Sequence, residues 1–130
     1  MRHRLWLLIP ALFFAFQAGA QLAPQRSASD GVTIAVTPTS VEQNVKSWDF
    51  KVVFDTHTKD LVDDLLKGAV LVDEKGNKFE PVAWDGAGPG GHHREGILKF
   101  NPIVPRPASV ELRILRAGET APRTFRWQLN

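Results

Sequence analysis

Trp48-Asp49-Phe50-Lys51-Val52-Val53-Phe54-Asp55 is the stretch that decides the fold class. In an extended chain Trp48, Phe50, Val52 and Phe54 fall on one side, and Asp49, Lys51, Val53 and Asp55 on the other. One face is wholly apolar and the other mostly polar, which is the mark of a half-buried strand. The same period of two recurs on either side. Val32, Ile34 and Val36 alternate with Thr33, Ala35 and Thr37 until Pro38. Val110, Leu112 and Ile114 alternate with Glu111 and Arg113, and Phe125, Trp127 and Leu129 with Arg126 and Gln128. Residues 69–72 and 78–84 flank Asp73-Glu74-Lys75-Gly76-Asn77, a connection that reads as a hairpin. A short strand is expected over 96–100, before Pro102.

Residues 60–67 break this pattern. Leu61 and Leu65, and Val62 and Leu66, stand four apart, with Asp60 placed to cap, Asp63 and Asp64 early, and Gly68 placed to stop a helix. A helix of at most two turns is expected there. Seven short strands with one short helix point to an all-β, immunoglobulin-like two-sheet β-sandwich. The chain has no cysteine, so the Cys–Trp–Cys signature of true immunoglobulin domains is missing, and a small closed barrel is the competing architecture.

The N-terminus has the composition of a secretory signal. Arg2 and Arg4 precede an apolar run from Leu5 to Phe16, and Ala18-Gly19-Ala20 fits a small-x-small cleavage site, making Gln21 the expected first mature residue. An apolar run this short falls below the roughly 20 residues of a membrane span, so the mature chain is expected to carry no transmembrane segment. The expected organisation is a signal peptide over 1–20, a flexible leader over 21–31 and a sandwich domain over 32–130, with export to the periplasm or medium. The chain has 16 Lys+Arg and 14 Asp+Glu. Two basic residues leave with the signal, so 14 of each remain. A balanced domain lacks the basic field that nucleic acid requires. An unidentified protein or small ligand is the expected partner.

The most unusual segment is Asp85-Gly86-Ala87-Gly88-Pro89-Gly90-Gly91-His92-His93-Arg94-Glu95. The other mature histidine, His57, lies just after the strand Trp48 to Asp55, in Asp55-Thr56-His57-Thr58. The string Phe54-Asp55-Thr56-His57-Thr58, Asp60-Leu61, Trp84-Asp85-Gly86 and Gly90-Gly91-His92-His93-Arg94-Glu95-Gly96 resembles a group of small exported bacterial and archaeal proteins, uncharacterised, with a Gly-Gly-His-His segment. The resemblance spans about residues 48 to 100. It implies export and directs attention to the histidine segments, and it carries no catalytic assignment.

Three chemistries compete for these residues. A metal site would draw on His57, His92, His93, Asp55 and Asp85, since imidazole with carboxylate suits Zn or Cu. An anion site would use the amides of Gly90 and Gly91 with the Arg94 fork. A stabilising network would spend the same groups on loop carbonyls and carboxylates, with His57 pinning the loop to the helix entry. Enzyme signals are sparse: there is no Gly-x-Ser-x-Gly elbow, and Ser27, Ser29, Ser40, Ser47 and Ser109 lie away from the histidines in sequence. Trp48 and Trp127 are expected in the core, and Trp84 beside the glycine loop. Arg106, Arg113, Arg116, Arg123 and Arg126 read as the outer face of the last strands. The chain is therefore expected to be a non-enzymatic binding or interaction module.

Overall fold

The computed structural model describes Pro10 and residues 22–130; the signal-like segment expected over 1–20 lies outside the described residues apart from Pro10. Among the described residues nine strands and one helical turn follow in order: β1 (Gln25–Ser29), β2 (Val32–Ser40), β3 (Trp48–Thr56), α1 (Leu65–Gly68), β4 (Ala69–Asp73), β5 (Lys78–Phe79), β6 (Ala83–Gly86), β7 (His93–Phe100), β8 (Ser109–Ile114) and β9 (Arg123–Gln128). They form two antiparallel sheets, β1-β2-β3-β7-β6 and β5-β4-β8-β9. With β2 taken as strand A, the first sheet carries A, B, E and D, and the second C′, C, F and G. This is the Greek-key order of immunoglobulin-like sandwiches, with β1 added at the edge. Among the described residues no helix is long and apolar enough to cross a membrane.

The alternation read from the sequence is the alternation of burial. Trp48, Phe50, Val52 and Phe54 are buried, as are Val32, Ile34 and Val36 on β2 and Val110, Leu112 and Ile114 on β8. The two layers meet through aromatic rings. Phe50 packs edge-on against Phe100 of its own sheet, at 5.7 Å between centroids, and lies 5.7 Å from Trp127 of the opposite sheet. Such pairs add to the transfer energy of the buried rings.

Several boundaries differ from the sequence reading. Residues 25–29, read as flexible leader, form β1, paired along its length with β2. β2 continues through Pro38 to Ser40, with a register shift at that point. The single strand expected over 78–84 is two strands in different sheets. Pro81 cannot donate to a ladder, and the chain changes layer there, so that Val82 N donates to Lys99 O at 2.7 Å as β6 begins. The hairpin itself is present in the pairing of Leu71 with Phe79 and Val72 with Lys78. The expected helix shrinks to one turn, capped by Asp64, whose carboxylate accepts from Leu66 N at 3.1 Å, rather than by Asp60. Residues 60–63 stay non-helical because their groups are held elsewhere. Leu61 exchanges backbone hydrogen bonds with the glycine loop, and the Asp63 carboxylate is paired with Arg116.

Phe50→Ala should cost about 3–5 kcal/mol, since it removes a ring that touches both layers and leaves a cavity. Urea unfolding of the two proteins measures this; a loss below about 1 kcal/mol would contradict the packing described.

Candidate functional site

β7 begins at His93, so the loop read from the sequence is shorter than expected and His93, Arg94 and Glu95 belong to a strand. The strand period then separates them. His93 and Glu95 project outward, whereas Arg94 and Gly96 project inward and are buried. In register, Asp55 of β3 faces His93.

The outward residues form a charged ladder. His93 Nδ1 lies 2.6 Å from Asp55 Oδ1, His93 Nε2 lies 3.4 Å from Glu95 Oε2, and Lys51 Nζ lies 3.0 Å from Glu95 Oε1. The hydrogen bond from Asp55, followed by that from Glu95, raises the His93 pKa above its usual value near 6.5. Glu95 is held below the ordinary carboxylate range, chiefly by Lys51. Arg94, which from its position beside the histidines would oppose their protonation, points away from them into the domain.

The five residues expected as metal ligands are therefore divided. His93 and Asp55 meet. His57 and His92 are exposed and form no side-chain hydrogen bond among the described residues, while Asp85 sits on β6 opposite Ile97. Among the described residues no group of three His, Cys, Asp or Glu side chains is placed to hold one ion.

Of the groups expected to bind an anion, the Gly90 amide and the Arg94 guanidinium are engaged internally, and Gly91 is engaged through its carbonyl. Gly90 N donates to Leu61 O at 2.7 Å, and Leu61 N donates to Gly91 O at 3.2 Å. Gly90 and Gly91 both have positive φ, at 115° and 78°, which glycine adopts without penalty. Arg94 is 4% exposed. Its Nε donates to Ala87 O at 3.0 Å, one terminal nitrogen donates to Asp63 O, and its guanidinium lies 5.4 Å from the centre of the Trp84 ring. That ring lies across two opposed glycines. A Cβ on Gly96 would stand 2.6 Å from the Trp84 ring and 2.8 Å from Gly86 Cα. The Trp84-Asp85-Gly86 and Arg94-Glu95-Gly96 strings are thus two sides of one packing unit.

Two further arginines brace the same end, and the sequence reading misplaced both. Arg116 and Arg123 are buried rather than lying on an outer face. Arg116 grips Asp63 with two bonds, Nε to Oδ1 at 3.0 Å and Nη2 to Oδ2 at 3.2 Å, and reaches Glu119 at 3.3 Å. Arg123 holds Glu119 at 2.7 and 2.9 Å and donates to the carbonyls of Ser27, Ser29 and Val32. Glu119 is kept ionised by Arg123 first. The chain of contacts runs from the β1–β2 turn, through the segment after β8, to the β3–β4 connection and the glycine loop. Breaking one buried pair of this kind typically costs about 3–5 kcal/mol, because the partner charge is left stranded.

A signal for these three residues exists in the sequence. Arg94 continues the parity of Leu98 and Phe100, Arg116 that of Leu112 and Ile114, and Arg123 that of Phe125 and Trp127. Arg94 and Arg123 are arginines at inward positions near the start of a strand, and Arg116 follows the end of β8 with the same parity.

No protein-family model, curated protein or solved structure matches the chain.

A raised folded pKa means that the stabilisation from His93 is fully present below the unfolded value of about 6.5 and is lost as pH rises through the folded value. In metal-free buffer the urea midpoint gap between wild type and His93→Gln should therefore narrow from pH 6 towards pH 9, and the His93 ring should titrate in NMR above 6.5. A gap that widens with pH would show that His93 is not paired with Asp55 in solution.

Proposed function

We propose that this chain is an exported binding or interaction domain in which the Gly-Gly-His-His-Arg segment is a structural brace. The observation that carries this reading is the engagement of the Gly90 amide, the Gly91 and His92 carbonyls and the Arg94 guanidinium by internal bonds. The Gly90 amide, the Gly91 carbonyl and the Arg94 guanidinium are all occupied within the domain, so they are not presented to a ligand. Among the described residues, no serine or threonine hydroxyl is hydrogen-bonded to a histidine, and the imidazole of His93 is held by two carboxylates. The export element of the reading rests on Arg2, Arg4, the apolar run and Ala18-Gly19-Ala20.

Connecting segments braced onto one end of a sandwich are the usual platform for recognition in this architecture. Val62, Leu66 and Leu115 are large apolar residues left exposed on the β3–β4 connection and just after β8. Those two segments are joined by the Arg116–Asp63 pair and by the bond from Leu115 N to Gly68 O at 2.8 Å.

Amide exchange tests the brace. The amides of Gly90 and Leu61 should exchange at least about a hundredfold more slowly than unstructured amides, in His57→Ala and His92→Ala as in wild type. Fast exchange at both would mean an open loop available to a ligand. N-terminal sequencing of protein recovered outside the cytoplasm should begin at or next to Gln21.

A further inference from the structure

When His93 is neutral, two lone pairs face each other on the outer sheet in place of the hydrogen bond that the protonated ring donates to Glu95. Asp55 is an acceptor, so the neutral His93 ring carries its proton on Nδ1. The lone pair of Nε2 then points towards Glu95 Oε2, 3.4 Å away. That distance is close to the separation of about 3.3 Å between two ligands each about 2.0–2.1 Å from one tetrahedral zinc ion.

We propose that His93 Nε2 and Glu95 Oε2 form half of a zinc site, completed by the same two atoms of a second copy of the chain across a twofold axis. The supporting groups are in place around the pair. The Asp55 carboxylate on Nδ1 is the partner that orients a zinc-binding imidazole and raises its basicity. Lys51 takes only Oε1 of Glu95, so Oε2 is left for the ion while its carboxylate is fixed. The ring and both carboxylates are roughly half exposed, with His93 and Glu95 paired to Asp55 and Val53 of β3, and Asp55 paired on its other side to Thr33 of β2.

The need for a second copy follows from ligand number. One chain supplies two ligands here and, among the described residues, no third His, Asp or Glu joins them to hold an ion. Zinc in structural sites takes four. A twofold axis presents identical patches to each other, so two copies provide two imidazoles and two carboxylates. Sheets stacked face to face stand about 10 Å apart, a gap that side chains from both faces can meet across. The opposing influence is Lys51, whose charge weakens attraction for a cation, so a two-ligand site in a single chain holds zinc poorly.

The inference extends the reading of the chain as an interaction domain. Its failure would leave the protection of Gly90 and Leu61 and the position of the mature N-terminus unchanged. Sedimentation velocity of the mature chain with EDTA, and with zinc sulfate at half an equivalent, tests it. The expected result is a monomer in EDTA and a dimer with zinc, holding one zinc per two chains by calorimetry. His93→Gln and Glu95→Gln should remain monomeric with unchanged far-UV circular dichroism. Asp55→Asn should weaken zinc binding about tenfold or more, and His57→Gln and His92→Gln should dimerise like wild type. Zinc bound one per chain without dimerisation, a zinc dimer that survives His93→Gln, or no zinc-dependent dimer at all would each overturn the proposal.

Discussion

Phe50 touches both layers of the sandwich, meeting Phe100 beside it and Trp127 across from it. Everything else is arranged around that contact. β3 lies in the middle of its sheet, so the row Trp48, Phe50, Val52 and Phe54 has strands on both sides and the opposite sheet above it. Because the side chains of a strand alternate, burying this row forces Asp49, Lys51 and Asp55 outward. The position of Asp55, and so the partner of His93, is a by-product of where the core lies. A one-residue slip would move every one of these groups to the wrong face.

The domain has no cysteine with which to tie its loops, and its single helical turn is too short to stand alone. Three buried arginines hold the loop-bearing end. Arg116 and Arg123 are matched by Asp63 and Glu119 in bidentate geometry, which suits a guanidinium and not an ammonium. Arg94 has no carboxylate partner within that group and is satisfied by carbonyls and the face of Trp84. Removing water from these charges is expensive, and only the near-complete set of partners offsets it. This links segments far apart in sequence into one unit.

The histidines divide by role because of strand parity. His93 is in a strand and is drawn into the ladder of Asp55, Glu95 and Lys51. His92, one residue earlier, contributes its carbonyl to Thr56 N at 2.9 Å, leaving its ring outside the ladder. Adjacent histidines in an extended chain cannot serve one point together, and here they do not.

The sequence by itself determined the strands with clean alternation, namely Val32 to Thr37, Trp48 to Asp55, Val110 to Ile114 and the C-terminal run, because a period of two is a local property that burial on one face imposes directly. It also determined the hairpin around Gly76, whose positive φ of 83° fits the residue there. Only the tertiary structure decided the rest. Whether residues 78–84 are one strand or two depended on which sheet could accept the chain after Pro81. Residues 25–29 are too polar to show a core face, and become a strand because β2 offers an open edge. The short helix lost its first turn to the bonds of Leu61 and the Asp63 pair, which come from the glycine loop and from Arg116. Above all, an arginine at an inward position is indistinguishable in sequence from one on a surface until its carboxylate arrives from 53 residues away, as Asp63 does for Arg116. Propensity and period are read within a few residues, whereas the satisfaction of a buried charge is settled only when distant segments close around it.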